Sequence, residues 1–160
     1  MAAAPIPTEP GLVLEPAEQA VLVEEVRPFA EALGDPAARR RYDRLDAAVR
    51  SGVVPEALVP PLEAMLELVL QTQRVRRRHG PEAEQALVGL LARTPRGLAS
   101  RQATRAVNQG LRALAGQRIR SISFSPTPGG QRLILETDAC QVALTIDRAG
   151  VRLERAEVGG

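Results

Sequence analysis

The sequence predicts an α+β fold, a bundle of four to five N-terminal helices followed by a four-stranded antiparallel β-meander packed on the helices. Two observations carry this reading. Apolar residues recur at three- and four-residue steps from Glu15 to Gly116, and from Gln117 onward they alternate with polar residues at every second position. The connections between the alternating runs are too short for crossovers, which leaves antiparallel pairing. At 160 residues the chain has the length of about one domain. Residues 15–160 are therefore expected to form a single unit, helical over 15–116 and a meander over 117–157. Residues 1–14 hold Pro5, Pro7 and Pro10, show no helical period, and read as a flexible Pro-rich tail.

The helices follow in order. Pro16 suits a first helical position, and Leu22, Val26, Phe29 and Leu33 line one face; Pro28 is expected to kink or split this helix and Gly34 to end it. The next, DPAARRRYDRLDAAVRSG, has Asp35 as N-cap, Pro36 in the first turn and Gly52 beyond its end. Its buried stripe is Ala38, Tyr42, Leu45 and Val49, with Arg39, Arg40, Asp43, Asp46 and Arg50 toward water. In LEAMLELVLQTQRVRRRHG, Leu62, Met65, Leu66, Leu68, Val69 and Leu70 surround most of the circumference. Only Glu63, Glu67, Gln71, Arg74 and Arg78 form a polar line, as in a central helix. A fourth helix runs from Pro81 to about Arg93 with Glu82 and Glu84 in its first turn and Leu87, Val88, Leu90 and Leu91 inside. After a turn at TPRGL, Ser100 caps the last helix. Its inner line is Ala103, Val107, Leu111 and Leu114, Gly116 stops it, and Ala106, Gly110 and Ala113 leave room for a close neighbour.

IRSISF, QRLILETD, CQVALTID and VRLERAEV read as the strands. Ile122, Phe124, Leu133, Leu135, Val142, Leu144, Ile146, Val151 and Leu153 form an apolar face for the helices to cover. Arg132, Gln141, Thr145, Arg152 and Glu154 form the opposite, polar one.

Charge is segregated along the chain. Residues 1–73 carry 12 acids and 6 arginines, residues 74–135 carry 12 arginines against Glu82 and Glu84, and residues 136–160 carry 5 acids and 3 arginines. All 21 basic residues are arginine, and the segment 85–135 has no acid. The arginines either converge on a surface that takes phosphate or an acidic protein, or they pair with the chain's own acidic helices. Candidate partner-binding residues are Arg93, Arg96, Arg101, Arg105, Asn108 and Arg112, joined by Arg74 and Arg78. Arg101, Arg105, Asn108 and Arg112 fall on one helical face. The run RVRRRH at 74–79 suits the last turn of a helix, where cations meet the negative end of the dipole.

Several chemistries lack their residues. His79 and Cys140 are each the sole residue of their type, so zinc sites and His- or Cys-based catalytic constellations are not expected, and no lysine exists to complete a phosphate loop. Cys140 reads as a small apolar residue of a strand. The acid pairs Glu24/Glu25 and Glu63/Glu67 read as solvated helix surface rather than a catalytic dyad. With only Phe29, Tyr42 and Phe124 as aromatics, there is little on which to stack bases. No segment approaches the length of a membrane span, and a cytoplasmic, soluble protein without metal, cofactor or small-molecule substrate is expected.

GLASRQATRAV, residues 97–107, resembles the turn and second helix of the histone-like HU family, in which two helices precede an antiparallel sheet that grips DNA. The order of elements after Pro81 is similar. The resemblance covers about 20 residues, and implies DNA binding. The chain departs from the family in lacking the glycine-phenylalanine cluster of its first strand and its long basic arm, and in carrying about 80 helical residues in front. No family residue is carried over.

The sequence therefore points to a non-catalytic protein-protein interaction or accessory subunit, binding another protein or itself as a homo-oligomer through charge-segregated helical surfaces. The alternative is a sequence-independent nucleic-acid-binding protein using the Arg-rich segment 85–135.

Overall fold

The computed structural model describes residues 11–158 and has the expected α+β order, helices first and a four-stranded antiparallel sheet last. The described residues group into two compact units, one ending at Arg96 and one beginning at Gly97.

In the first unit, β1 (Gly11–Val13) pairs antiparallel with β2 (Val53–Pro55), Leu12 opposite Val54. The first ten residues of the expected tail lie outside the described residues. Its last four are held, because Leu14 is buried and its N–H donates to Gly52 O at 2.9 Å. α1 (Pro16–Glu31) runs through Pro28 without splitting. Pro28 opens the last turn, where the missing N–H removes one hydrogen bond while Ala32 N–H still reaches Pro28 O. α2 (Pro36–Ser51) is capped as expected: the Asp35 carboxylate accepts from the Ala37 and Ala38 amides, and Gly52 closes it with φ +80°. Here the left-handed turn requires glycine.

A single 3-10 turn, Glu56–Leu58, leads into α3 (Val59–Gln71). The long helix expected to continue to His79 ends here instead. Gln73 adopts φ +54° and its N–H reaches back to Leu70 O, while the Thr72 hydroxyl bonds Leu68 O at 2.8 Å, so local side-chain and backbone partners replace the helical ladder. The chain restarts in a new direction as α4 (Arg74–His79) and α5 (Pro81–Arg93). Leu22, Val26, Leu45, Val49, Val54, Leu62, Met65, Leu66, Val75, Leu87 and Leu90 form a fully buried core. Leu68 and Val88, expected inside, are 48% and 51% exposed.

α6 (Pro95–Arg112) begins five residues earlier than Ser100. Thr94 alone links it to α5 in an extended conformation, and Pro95 opens the helix rather than breaking it, the position where its missing N–H costs nothing. In the second unit, β3 (Ile119–Thr127), β4 (Gly130–Thr137), β5 (Cys140–Asp147) and β6 (Gly150–Val158) pair in sequence order as an antiparallel meander. Val107 of α6 packs with Val142 and Leu144, joined by Leu111, Leu114, Leu133 and Leu153. At Gly110 helix and sheet come close: a Cβ there would lie 2.8 Å from a Leu153 methyl. Cys140 is buried at the start of β5, and its N–H donates to the Thr137 hydroxyl oxygen at 2.9 Å.

Two substitutions test this packing. Gly110→Val should lower stability by about 1–3 kcal/mol through overpacking on Leu153. Gly110→Ala should be milder, because the helix gains about 1 kcal/mol of propensity against the same contact; urea unfolding reads both. The buried Tyr42 hydroxyl donates to Pro61 O at 3.0 Å, and Tyr42→Phe should cost about 1 kcal/mol. Burial raises the Tyr42 pKa above its ordinary value of 10.0, only partly countered by Arg41. The folded state thus holds this proton more tightly than the unfolded one, and the contribution is full below pH 10.0 and lost as pH rises through the raised value. Because Tyr42 is the chain's single tyrosine, alkaline absorbance titration should show a folded midpoint above that of the urea-unfolded chain.

Candidate functional site

The candidate arginines divide into two groups. Four of them close on acids within the first unit. The Arg93 guanidinium is 2.5 Å from Glu18 and also donates to Val13 O. Arg96 is 2.7 Å from Glu67, and its backbone N–H donates to the buried Glu63 carboxylate at 2.8 Å. Arg74 and Arg78 both reach Glu25, at 2.7 and 3.3 Å, and His79 Nε2 lies 2.9 Å from the same carboxylate.

Glu25 decides this arrangement. It sits on the inner face of α1 beside Leu22 and Val26 and is fully buried, so its charge demands partners. The break at Gln73 turns α4 so that Arg74 and Arg78, four residues apart on one face, can both supply them. The run RVRRRH thus does more than complement a helix dipole. The expectation that Glu24/Glu25 and Glu63/Glu67 form solvated surface is corrected for Glu25 and Glu63. Helical periodicity could place Glu25 beside the apolar stripe, but only the tertiary partners explain why a carboxylate occupies it.

The other group lies on α6. Arg105, Asn108 and Arg112 are exposed on its outward face and make no ion pair among the described residues, whereas Arg101 is engaged. Opposite this face α6 meets the sheet, and there the structure shows a feature that the sequence pattern did not resolve. Phe124 pairs with Leu133, and Ile122 with Leu135, so both side chains share the apolar face that α6 packs on. Ile122 is nevertheless 60% exposed and Phe124 58% exposed. Alternation assigned them correctly to the apolar face, but it carries no information on how far one helix reaches across it.

The two edges of the sheet differ. β6 carries Arg152, Glu154, Arg155 and Glu157, and a bulge between Ala143 and Leu144 disturbs its pairing with β5. Arg152 pairs with Asp147 and Arg155 with Glu157, while Arg132 grips Glu154 from β4 at 2.5 and 2.8 Å. Those hydrogen bonds hold the Glu154 carboxyl below its ordinary pKa. This is a guarded edge. On β3 the stretch Ser121–Ser125 has no charge at all, and only the serines alternate with Ile122 and Phe124.

Elsewhere, an open cleft of about 530 Å³ in the first unit is lined by Glu15, Glu18, Glu82, Gln85 and Arg93, with Glu18 already held by Arg93. Among the described residues no three His, Cys, Asp or Glu converge as metal ligands, and no helix is long and apolar enough to cross a membrane.

The buried carboxylate makes a measurable claim. Glu25→Gln should destabilise the protein by about 1–3 kcal/mol, less than for a wholly buried pair because Arg74 and Arg78 still reach water. Arg27→Ala, which breaks the exposed pair with Glu31, should change stability by less than about 0.5 kcal/mol. Urea unfolding followed by circular dichroism compares the two; equal effects would contradict the role given to Glu25.

No family model matches the chain, and neither a curated protein nor a solved structure matches it. The resemblance of residues 97–107 to the HU family is accordingly confined to a short stretch, and Gly97–Ala99, read there as a turn, lie inside α6.

Proposed function

We propose that the chain is a non-catalytic assembly or accessory protein that docks a protein partner through the β3 side of its C-terminal sheet. The observation that carries this is the exposure of Ile122 and Phe124 on the face where Leu133, Val142, Leu144 and Leu153 form a core with α6. In a chain with three aromatic residues, Phe29 and Tyr42 pack on each other at 4.8 Å and the third stands in solvent. An apolar cluster on an uncharged edge strand favours association. Charged helical surfaces support the reading less than the sequence suggested, since Arg74, Arg78, Arg93 and Arg96 are already bound to the chain's own acids.

A photoreactive benzophenone side chain in place of Phe124 tests this in extract of the source cells. It should form a discrete protein adduct, and a second substitution in the same probe-bearing chain, Ile122→Lys, should abolish it. The same probe at Arg155, on the guarded edge, should give none. Equal labelling from both positions, or none from Phe124, would overturn the reading.

One observation favours a second reading, the unpaired cations Arg105 and Arg112 on the outward face of α6. Duplex DNA or structured RNA bound there would show affinity falling with salt at a log-log slope of roughly −0.9 per phosphate contacted. Arg105→Ala and Arg112→Ala should each flatten that slope by about one contact. Absence of a gel shift at low salt would exclude it.

A further inference from the structure

We infer that the occupant of the β3 edge is a second copy of this chain, paired antiparallel about a two-fold axis through Ser123; this rests on the docking role proposed for β3. The hairpin geometry comes first. β3 and β4 are joined by the two-residue loop Pro128-Gly129, with Thr127 opposite Gly130 and Gly129 at φ +89°. In a two-residue hairpin the flanking pair exchanges backbone hydrogen bonds, and such pairs recur at every second residue. The backbone groups of Ser125, Ser123 and Ser121 therefore point to β4, and those of Ile122 and Phe124 point out from the edge. The two residues with exposed apolar side chains are thus the two that offer outward N–H and C=O groups.

A strand that pairs with itself must satisfy three conditions, and β3 meets each. Centring the two-fold on Ser123 sets Ile122 against Phe124 of the other copy, twice by symmetry. This is a β-branched residue against an aromatic one, a favourable cross-strand pair, and their outward backbone groups are in register to bond. On the other face Ser123 meets Ser123, and Ser121 meets Ser125, so small hydroxyl side chains lie opposite one another. No like charges meet: Arg120, whose partner within the chain is Asp138, falls opposite Pro126. Pro126 lacks an N–H, and so marks where the pairing weakens and stops. The β6 edge fails the same conditions, with Arg152, Glu154, Arg155 and Glu157 along it. The product is one continuous sheet whose apolar faces join across the axis.

Cysteine cross-linking reads the register in the full chain. Ser123 and its symmetry mate form a pair without mutual hydrogen bonds, with Cα atoms about 4.5 Å apart, within disulfide range. Ser121 and its own mate lie about 13 Å apart along the strands. Under mild oxidation Ser123→Cys should convert most of the chain to a covalent dimer. Ser121→Cys and Ser125→Cys should each stay monomeric on a denaturing gel, and an equal mixture of the two should cross-link. The native Cys140 is buried and leaves little background. Sedimentation equilibrium of wild type should give the dimer mass, and Phe124→Lys should give the monomer with unchanged circular dichroism.

A wild-type dimer that survives Phe124→Lys, or Ser123→Cys cross-linking no better than Ser125→Cys, overturns the pairing. A wild type that is monomeric at all concentrations also overturns it. If the benzophenone at Phe124 still captures a different polypeptide, the docking role of β3 stands and only self-pairing falls; if it captures nothing, both fall.

Discussion

The structure of the C-terminal unit depends on one constraint: a single helix covers the apolar face of four strands. Strands lie about 4.8 Å apart, so the outer two are separated by about 14 Å, while a helix with its side chains is about 10–12 Å wide. One helix can seat on two or three strands. The choice is made at Gly110, which admits Leu153 of β6 against the helix backbone and draws α6 toward that side. Val107, Leu111 and Leu114 then close over Leu133, Val142, Leu144 and Leu153, and the cover runs out before β3. Ile122 and Phe124 are exposed as a consequence of where the helix is anchored.

Charge in the N-terminal unit follows a different logic. The basic segment faces the acidic one, and Glu18, Glu25, Glu63 and Glu67 each hold an arginine or its backbone. Removing Glu25 from water is costly, and three cationic or polar donors compensate it. Such a cluster specifies how α1 and α4 meet more than it adds to net stability. Within this unit the segregation of charge along the sequence thus records contacts of Arg74, Arg78, Arg93 and Arg96 with the acids of α1 and α3, whereas Arg105 and Arg112 on the outward face of α6 meet no acid among the described residues.

Much of the fold was legible because period and punctuation are local. Asp35 and Gly52 bound α2, the change from helical to alternating period places the helix-to-sheet boundary, and Pro-Gly and Gly turns order the meander. The errors lie where tertiary contacts override local signals. Pro95 reads as a break but opens α6, Gln73 has no composition that announces a left-handed turn, and Leu12 and Val13 belong to a strand that needs Val53 and Val54 to exist. On the sheet the alternation correctly listed which residues share a face, whereas the polar line drawn from Glu63 to Arg78 is broken at Gln73. The sequence could not say that Arg93 and Arg96 were spoken for, or that Phe124 was uncovered, because both are facts about distant neighbours.

The most direct measurement is amide hydrogen exchange at Ile122 and Phe124, resolved by NMR over a range of protein concentration. Their N–H groups point out from β3, so they should be protected when the edge is occupied and lose protection on dilution, while the outward amides of β6 exchange rapidly throughout. Fast exchange at Ile122 and Phe124 at every concentration, or protection that appears equally on β6, would contradict the account.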